Sequence, residues 1–143
     1  MKNKLFLMLL IVVVALFAFT QASTTKLTVE IGDIKNSSGK NISIGVFEKN
    51  TFPAIGKAKY EKSIIANGNT VSITFELPDG DYAVAVYQDL NNNSVLDKNF
   101  FGIPKEPYGF SKNFKPKLSA PQFSDCSFTL SGTEKKLSIF LIH

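Results

Sequence analysis

Leu77-Pro78-Asp79-Gly80-Asp81-Tyr82-Ala83-Val84-Ala85-Val86-Tyr87-Gln88-Asp89 runs directly into Leu90-Asn91-Asn92-Asn93-Ser94-Val95-Leu96-Asp97. The first half alternates as a strand does. The pattern Leu-x-x-Gly-x-Tyr-x-Val at its start matches the tyrosine corner of Greek-key sandwiches, in which a Tyr hydroxyl returns to backbone a few residues upstream. Gly80 would supply the sharp turn and Tyr82 the latch. The second half sets Asp89, Asn91, Asn93 and Asp97 at positions 1, 3, 5 and 9 of a calcium-type loop, with the Val95 carbonyl at position 7.

Strand signals recur on both sides of this stretch. Leu27, Val29 and Ile31 alternate within residues 26–31, and Ile42, Ile44 and Val46 within residues 41–47. The turn cluster Asn36-Ser37-Ser38-Gly39 between them predicts a hairpin. Ser63–Ala66 reads as a short strand. Asn67-Gly68 is a tight-turn signal, and Val71, Ile73 and Phe75 alternate after it. Phe123–Leu130 and Lys136–Ile142 read as the last two strands. The expectation is an all-β, antiparallel Greek-key β-sandwich, Ig-like or prealbumin-like, with about seven strands in a single domain covering residues 23–143.

Residues 98–122 break the pattern. Pro104, Pro107, Pro116 and Pro121 exclude a helix or a central strand, yet the aromatic content is too high for a disordered linker. An ordered loop packed on the sandwich is expected.

Lys2 and Lys4 precede an apolar run from Leu5 to Phe19, followed by Thr20-Gln21-Ala22-Ser23. This is the layout of a signal peptide over residues 1–22, since a spanning helix needs about 20 apolar residues. The expected product is exported, periplasmic or extracellular, with no mature transmembrane segment. Cys126 stands alone, which excludes an internal disulfide; it reads as a small buried hydrophobe.

The chain carries +4 at neutral pH, and every cation is lysine. Without Arg, forked contacts to phosphates and bases are missing, so nucleic-acid binding is a poor reading. His143 is the sole histidine and ends the chain, where it reads as a frayed end. One Cys and one His do not make a zinc site, and a Ser-His or Cys-His pair has no interior His to draw on. No catalytic residues are assigned; a hydrolase built on Asp89, Asp97 and Glu106 is the less favoured alternative to a non-enzymatic protein.

The oxygen-bearing residues therefore hold the site chemistry. Calcium takes six to eight oxygen ligands, and Asp89, Asn91, Asn93, Val95 and Asp97 alternate ligand with spacer as such loops do. Position 6, usually Gly, is Ser94, and position 12, usually Glu, is Phe100. Glu106 is the candidate for an extra ligand. Two carboxylates and two amides imply a Ca2+ affinity of about 10⁻⁴ to 10⁻³ M. The same residues also suit a metal-free turn in which Asx side chains bond their own backbone. A second alternative is a binding surface for an envelope glycan or protein made by Tyr108, Phe110 and Phe114 with nearby lysines; the favoured reading is that those lysines solvate a loop whose aromatics turn inward.

The run from Leu77 through Asn93, with Phe101-Gly-Ile-Pro-Lys-Glu-Pro-Tyr-Gly-Phe-Ser111, resembles a bacterial exported family catalogued as domain of unknown function 2141. The resemblance spans roughly Leu27 to Leu141 and implies a single-domain β protein with a signal peptide. Where that family has Asn-Gly after the ligand run, this chain has Asn93-Ser94. Leu77 to Asp97 is also similar to calcium-carrying, prealbumin-like or Ig-like modules of bacterial surface proteins.

Overall fold

The computed structural model describes residues 23–143; the expected signal peptide lies outside the described residues. Eight strands form two sheets. In chain order they are β1 (Thr24–Gly32), β2 (Lys40–Phe47), β3 (Tyr60–Ala66), β4 (Val71–Pro78), β5 (Gly80–Asp89), β6 (Tyr108–Phe110), β7 (Phe128–Leu130) and β8 (Lys135–Phe140). One sheet has the order β4-β1-β8. The other runs β3-β2-β5-β6, with β7 also pairing β5.

The alternating residues of the sequence are the ones that build the core. Leu27, Val29 and Ile31 of one sheet meet Ile42, Ile44, Val46, Val84 and Val86 of the other, all buried in one cluster. No helix of the described residues is long and apolar enough to cross a membrane.

The pairing differs from expectation in three places. The predicted β1–β2 hairpin does not form. β1 pairs β4 along its length in antiparallel fashion, while β2 pairs β3 and β5 in the opposite sheet. The Asn36–Gly39 turn is thus a crossing between layers. Second, β1 and β8 run parallel, so the expected wholly antiparallel sandwich carries one parallel pair. Third, Phe123–Cys126 is not strand but a single helical turn, α1, leaving only Phe128–Leu130 as β7. Its capping box joins Gln122 and Asp125: the Asp125 carboxylate accepts the Gln122 N–H at 2.8 Å.

The tyrosine corner is present. Only Asp79 separates β4 from β5, yet the two strands lie in different sheets. The Tyr82 hydroxyl donates to the Pro78 carbonyl at 3.0 Å and latches the corner. The Tyr82 ring covers Gly80, 3.4 Å from where a Cβ would stand. Burial pushes the Tyr82 phenol above its ordinary value. Asp79 fastens the corner from outside, accepting the Gly132 N–H at 3.0 Å and the Thr25 hydroxyl at 2.6 Å. Those two bonds, the Gly132 one first, hold its carboxyl below the usual range.

Residues 98–122 are ordered and close one side of the sandwich. Gly109 of β6 presses against β8, where a Cβ would stand 2.8 Å from the Ile139 side chain. Tyr108 and Ile142 exchange both backbone bonds, at 3.1 and 2.7 Å, which joins the edges of the two sheets. Ser111 sits in the gap between β6 and β7. It is fully buried; its Oγ accepts the Val84 N–H at 2.9 Å and donates to the Cys126 carbonyl at 2.6 Å. Asn113 continues the work on β8, where its amide donates to the Ser138 carbonyl and accepts the Phe140 N–H. A second apolar cluster covers the outside of the five-stranded sheet, where Phe52 packs edge-to-face on Phe47, Phe110 and Phe123.

Candidate metal centre

β5 ends at Asp89, which forms the last pair of the β2–β5 ladder with Asn41 and is almost fully buried. A buried carboxylate must be hydrogen-bonded or paired. Asp89 achieves this with the backbone that follows it: Oδ1 accepts the Asn93 N–H at 3.2 Å, and Oδ2 accepts the Ser94 N–H at 2.7 Å. Position 1 of the loop therefore holds the amides of positions 5 and 6. The chain must turn back sharply for this, and Asn92 and Ser94 take left-handed backbone with φ of 60° and 62°. Ser94 adopts at position 6 the conformation for which Gly is usual.

The remaining ligand candidates gather around Asp97. Asn91 Oδ1 accepts the Asn93 N–H at 3.1 Å, and Asn93 Oδ1 accepts the Val95 N–H at 2.9 Å. Their amide nitrogens both reach Asp97 Oδ2, at 2.6 Å from Asn91 and 3.3 Å from Asn93. Asp89 therefore anchors the loop from within, while Asn91, Asn93 and Asp97 meet on the solvent side. Val95 is half exposed.

Glu106 sits behind this loop. Its Oε1 accepts the Leu90 N–H at 2.8 Å and its Oε2 accepts the Asp97 N–H at 3.0 Å. It is buried, like Asp89. Both of its oxygens thus serve as a backbone clamp across the loop. Beside it Lys105 N–H donates to the Asp97 carbonyl and Gln88 N–H to the Pro107 carbonyl, both at 2.8 Å. Gln88 itself is wholly buried, with Nε2 on the Lys35 carbonyl at 2.6 Å and Oε1 without a partner.

The donor set fits a hard cation: every side chain offered is carboxylate or amide. Among the described residues, no three His, Cys, Asp or Glu side chains converge as a metal cluster, so an ion here would lean on asparagine and carbonyl oxygens. The Asn91 and Asn93 amides present N–H to Asp97, and a cation would have to turn them.

The alternative aromatic surface at Tyr108, Phe110 and Phe114 is not laid out as an open patch. All three are only partly exposed, and Tyr108 and Phe110 pack edge-to-face in the Phe52 cluster. The strongly exposed apolar residues of the segment are Phe100, Phe101, Ile103 and Leu118 instead. His143 is not frayed, since its Nε2 lies 2.8 Å from the Asp33 carbonyl. Cys126 is fully buried, and burial pushes its thiol up to about 11.

Residues 29–138, which include β2 through β7 and the whole acidic loop, match the model of a family described as "Uncharacterized protein conserved in bacteria (DUF2141)". The chain belongs to that family. No curated protein and no solved structure matches it. Within the matched region, the two residues that sequence reasoning missed are Ser111 and Asn113. Their partners lie 15 to 27 residues away in the chain, and no local pattern announces them.

Proposed function

We propose that this DUF2141 chain is an exported, non-enzymatic β-sandwich protein whose Asp89–Asp97 loop binds a structural calcium ion. The observation that carries the reading is two buried carboxylates, Asp89 and Glu106, both bonded to the loop that ends at Asp97, with neither in an ion pair among the described residues. The ion pairs among the described residues join Lys26 to Glu134, Lys59 to Glu48 and Lys136 to Glu30, all elsewhere. A buried carboxylate outside an ion pair is costly in a low-dielectric setting, and a divalent cation nearby offsets it.

The shape of the loop supports the same reading. Asp89 already holds the amides of positions 5 and 6, and Ser94 supplies the left-handed turn. Asp97, Asn91, Asn93 and the Val95 carbonyl would hold the ion, with Asp89 as the buried anchor. Glu106 contributes as the clamp that fixes Leu90 and Asp97, rather than through a free oxygen. The ion would tie the end of β5 to the start of residues 98–122, which close the sandwich edge.

Calorimetric titration of residues 23–143 with calcium tests the proposal, alongside Asp97→Asn. Saturable heat in the ~10⁻⁴ to 10⁻³ M range, lost in the variant, is the expected outcome. Absence of heat from the wild-type protein at those concentrations refutes it.

A further inference from the structure

Of the large apolar side chains of residues 98–122, Tyr108, Phe110 and Phe114 are half-buried, Leu118 is exposed on its own further along, and three exposed ones stand together. Phe100 is 98% exposed, Phe101 82% and Ile103 57%, all at the tip of one turn. Solvent-exposed aromatics at a loop tip are ordinary if the loop is loose. This turn is built. Gly102 N–H donates to the Asn99 carbonyl and Asn99 N–H to the Ile103 carbonyl, both at 2.9 Å. The Asn99 side chain accepts the Phe101 and Ile103 amides at 2.9 and 3.0 Å. Lys98 bridges to Pro104 across the arms, and Glu106 clamps their base. The backbone therefore holds two phenyl rings, 5.6 Å apart and edge-to-face, away from the body of the protein.

Lys98 and Lys105 flank the tip, one on each arm. Both are exposed, and neither is in an ion pair among the described residues. The order from the tip backward is hydrocarbon, then positive charge. A bilayer has the complementary order, with acyl chains inside and anionic headgroups outside. A convex tip buries both rings only in a deep pocket or a deformable apolar phase. Phe also lacks the polar handle with which Tyr or Trp satisfies a protein partner.

We propose that the Lys98–Lys105 turn is an interfacial membrane anchor: Phe100, Phe101 and Ile103 enter the acyl layer of an anionic bilayer while Lys98 and Lys105 meet its headgroups. This stands apart from the calcium reading, because every bond that shapes the turn is made by the chain's own atoms.

The test uses residues 23–143, which contain both sheets and the core, sedimented with vesicles of phosphatidylglycerol and phosphatidylethanolamine or of phosphatidylcholine alone. The protein partitions onto the anionic vesicles. Phe100→Ser with Phe101→Ser lowers the partition coefficient ~10-fold or more, since both apolar rings leave the acyl layer. Lys98→Glu with Lys105→Glu lowers it at least about fivefold per lysine, on anionic vesicles only and with strong salt dependence. The chain has no Trp, so Phe101→Trp gives a single reporter whose emission shifts to the blue on binding. All four positions are exposed, and unchanged thermal unfolding confirms that the variants fold. The proposal is overturned if the wild-type protein stays in solution, or if the double Phe variant binds equally well. It is likewise overturned if the tip drives only self-association that the Phe variant abolishes.

Discussion

Glu106 accepts the backbone N–H of Asp97 at 3.0 Å, and this bond holds the acidic loop against the segment that closes the sandwich. Its other oxygen takes the Leu90 N–H, so one buried side chain fixes both ends of the loop. Replacing Glu106 by Ala leaves two amides without their acceptor. An unpaired buried donor costs about 1–3 kcal/mol. Glu106→Ala should therefore lower the urea midpoint by that amount of stability and weaken calcium binding, whereas Glu106→Gln, which keeps one acceptor, should do less. Equal stability of the Ala variant and the wild type would show that the clamp is idle.

The Tyr82 latch gives a separable prediction. Tyr82→Phe keeps the ring in the core and over Gly80 but removes the hydroxyl bond to Pro78. The expected loss is about 0.5–1.5 kcal/mol, read by chemical denaturation, with no effect on calcium affinity. A change in affinity would mean that the corner and the loop are coupled along β5.

Ser111→Ala should be the more damaging substitution, although it removes a single oxygen. That oxygen satisfies the Val84 N–H and the Cys126 carbonyl, both inside the protein. Their combined exposure to an apolar setting should cost at least about 1–3 kcal/mol. Amide exchange at Val84 is the specific readout: it should accelerate in the variant relative to neighbouring residues of β5.

Cys126 should be inert to alkylation in the native protein and reactive once unfolded, because the thiolate is the nucleophile and burial holds the folded thiol at about 11 against an ordinary 9.0. The sign of the pH effect follows from the raised value. The neutral thiol's contribution is fully present below pH 9.0 and is lost as pH rises through about 11. Comparing the alkaline limb of stability in wild type and Cys126→Ala isolates it: the wild type should fall more steeply in that window.

Much of this fold was legible in the sequence because burial imposes period two on a strand regardless of its neighbours. Leu27, Val29 and Ile31 announced a buried face, and that face is buried. Alternation does not say which strand lies alongside, however. The β1–β2 hairpin was expected from a turn cluster, but a turn can equally well carry the chain from one layer to the other, as it does here. Tyr82 was readable since its partner is four residues upstream. Ser111 and Asn113 were not, since theirs are 15 to 27 residues distant. In the loop, the spacing of Asp89, Asn91, Asn93 and Asp97 was plain, as was the departure at Ser94. That Ser94 adopts the left-handed turn is a property of the folded backbone, held by Asp89. The Glu106 clamp needed the fold as well, because a carboxylate facing amides and one facing an ion look the same in sequence.

The most direct measurement of the central claim is a calcium titration followed residue by residue in ¹⁵N-correlated NMR spectra. Binding at the loop predicts saturable shifts concentrated in residues 89–97, including the side-chain amides of Asn91 and Asn93, which leave Asp97 Oδ2 as the ion enters. The midpoint should fall at about 10⁻⁴ to 10⁻³ M and move out of range in Asp97→Asn. Unchanged Asn91 and Asn93 side-chain signals through that range, or shifts scattered over exposed carboxylates elsewhere, would contradict it.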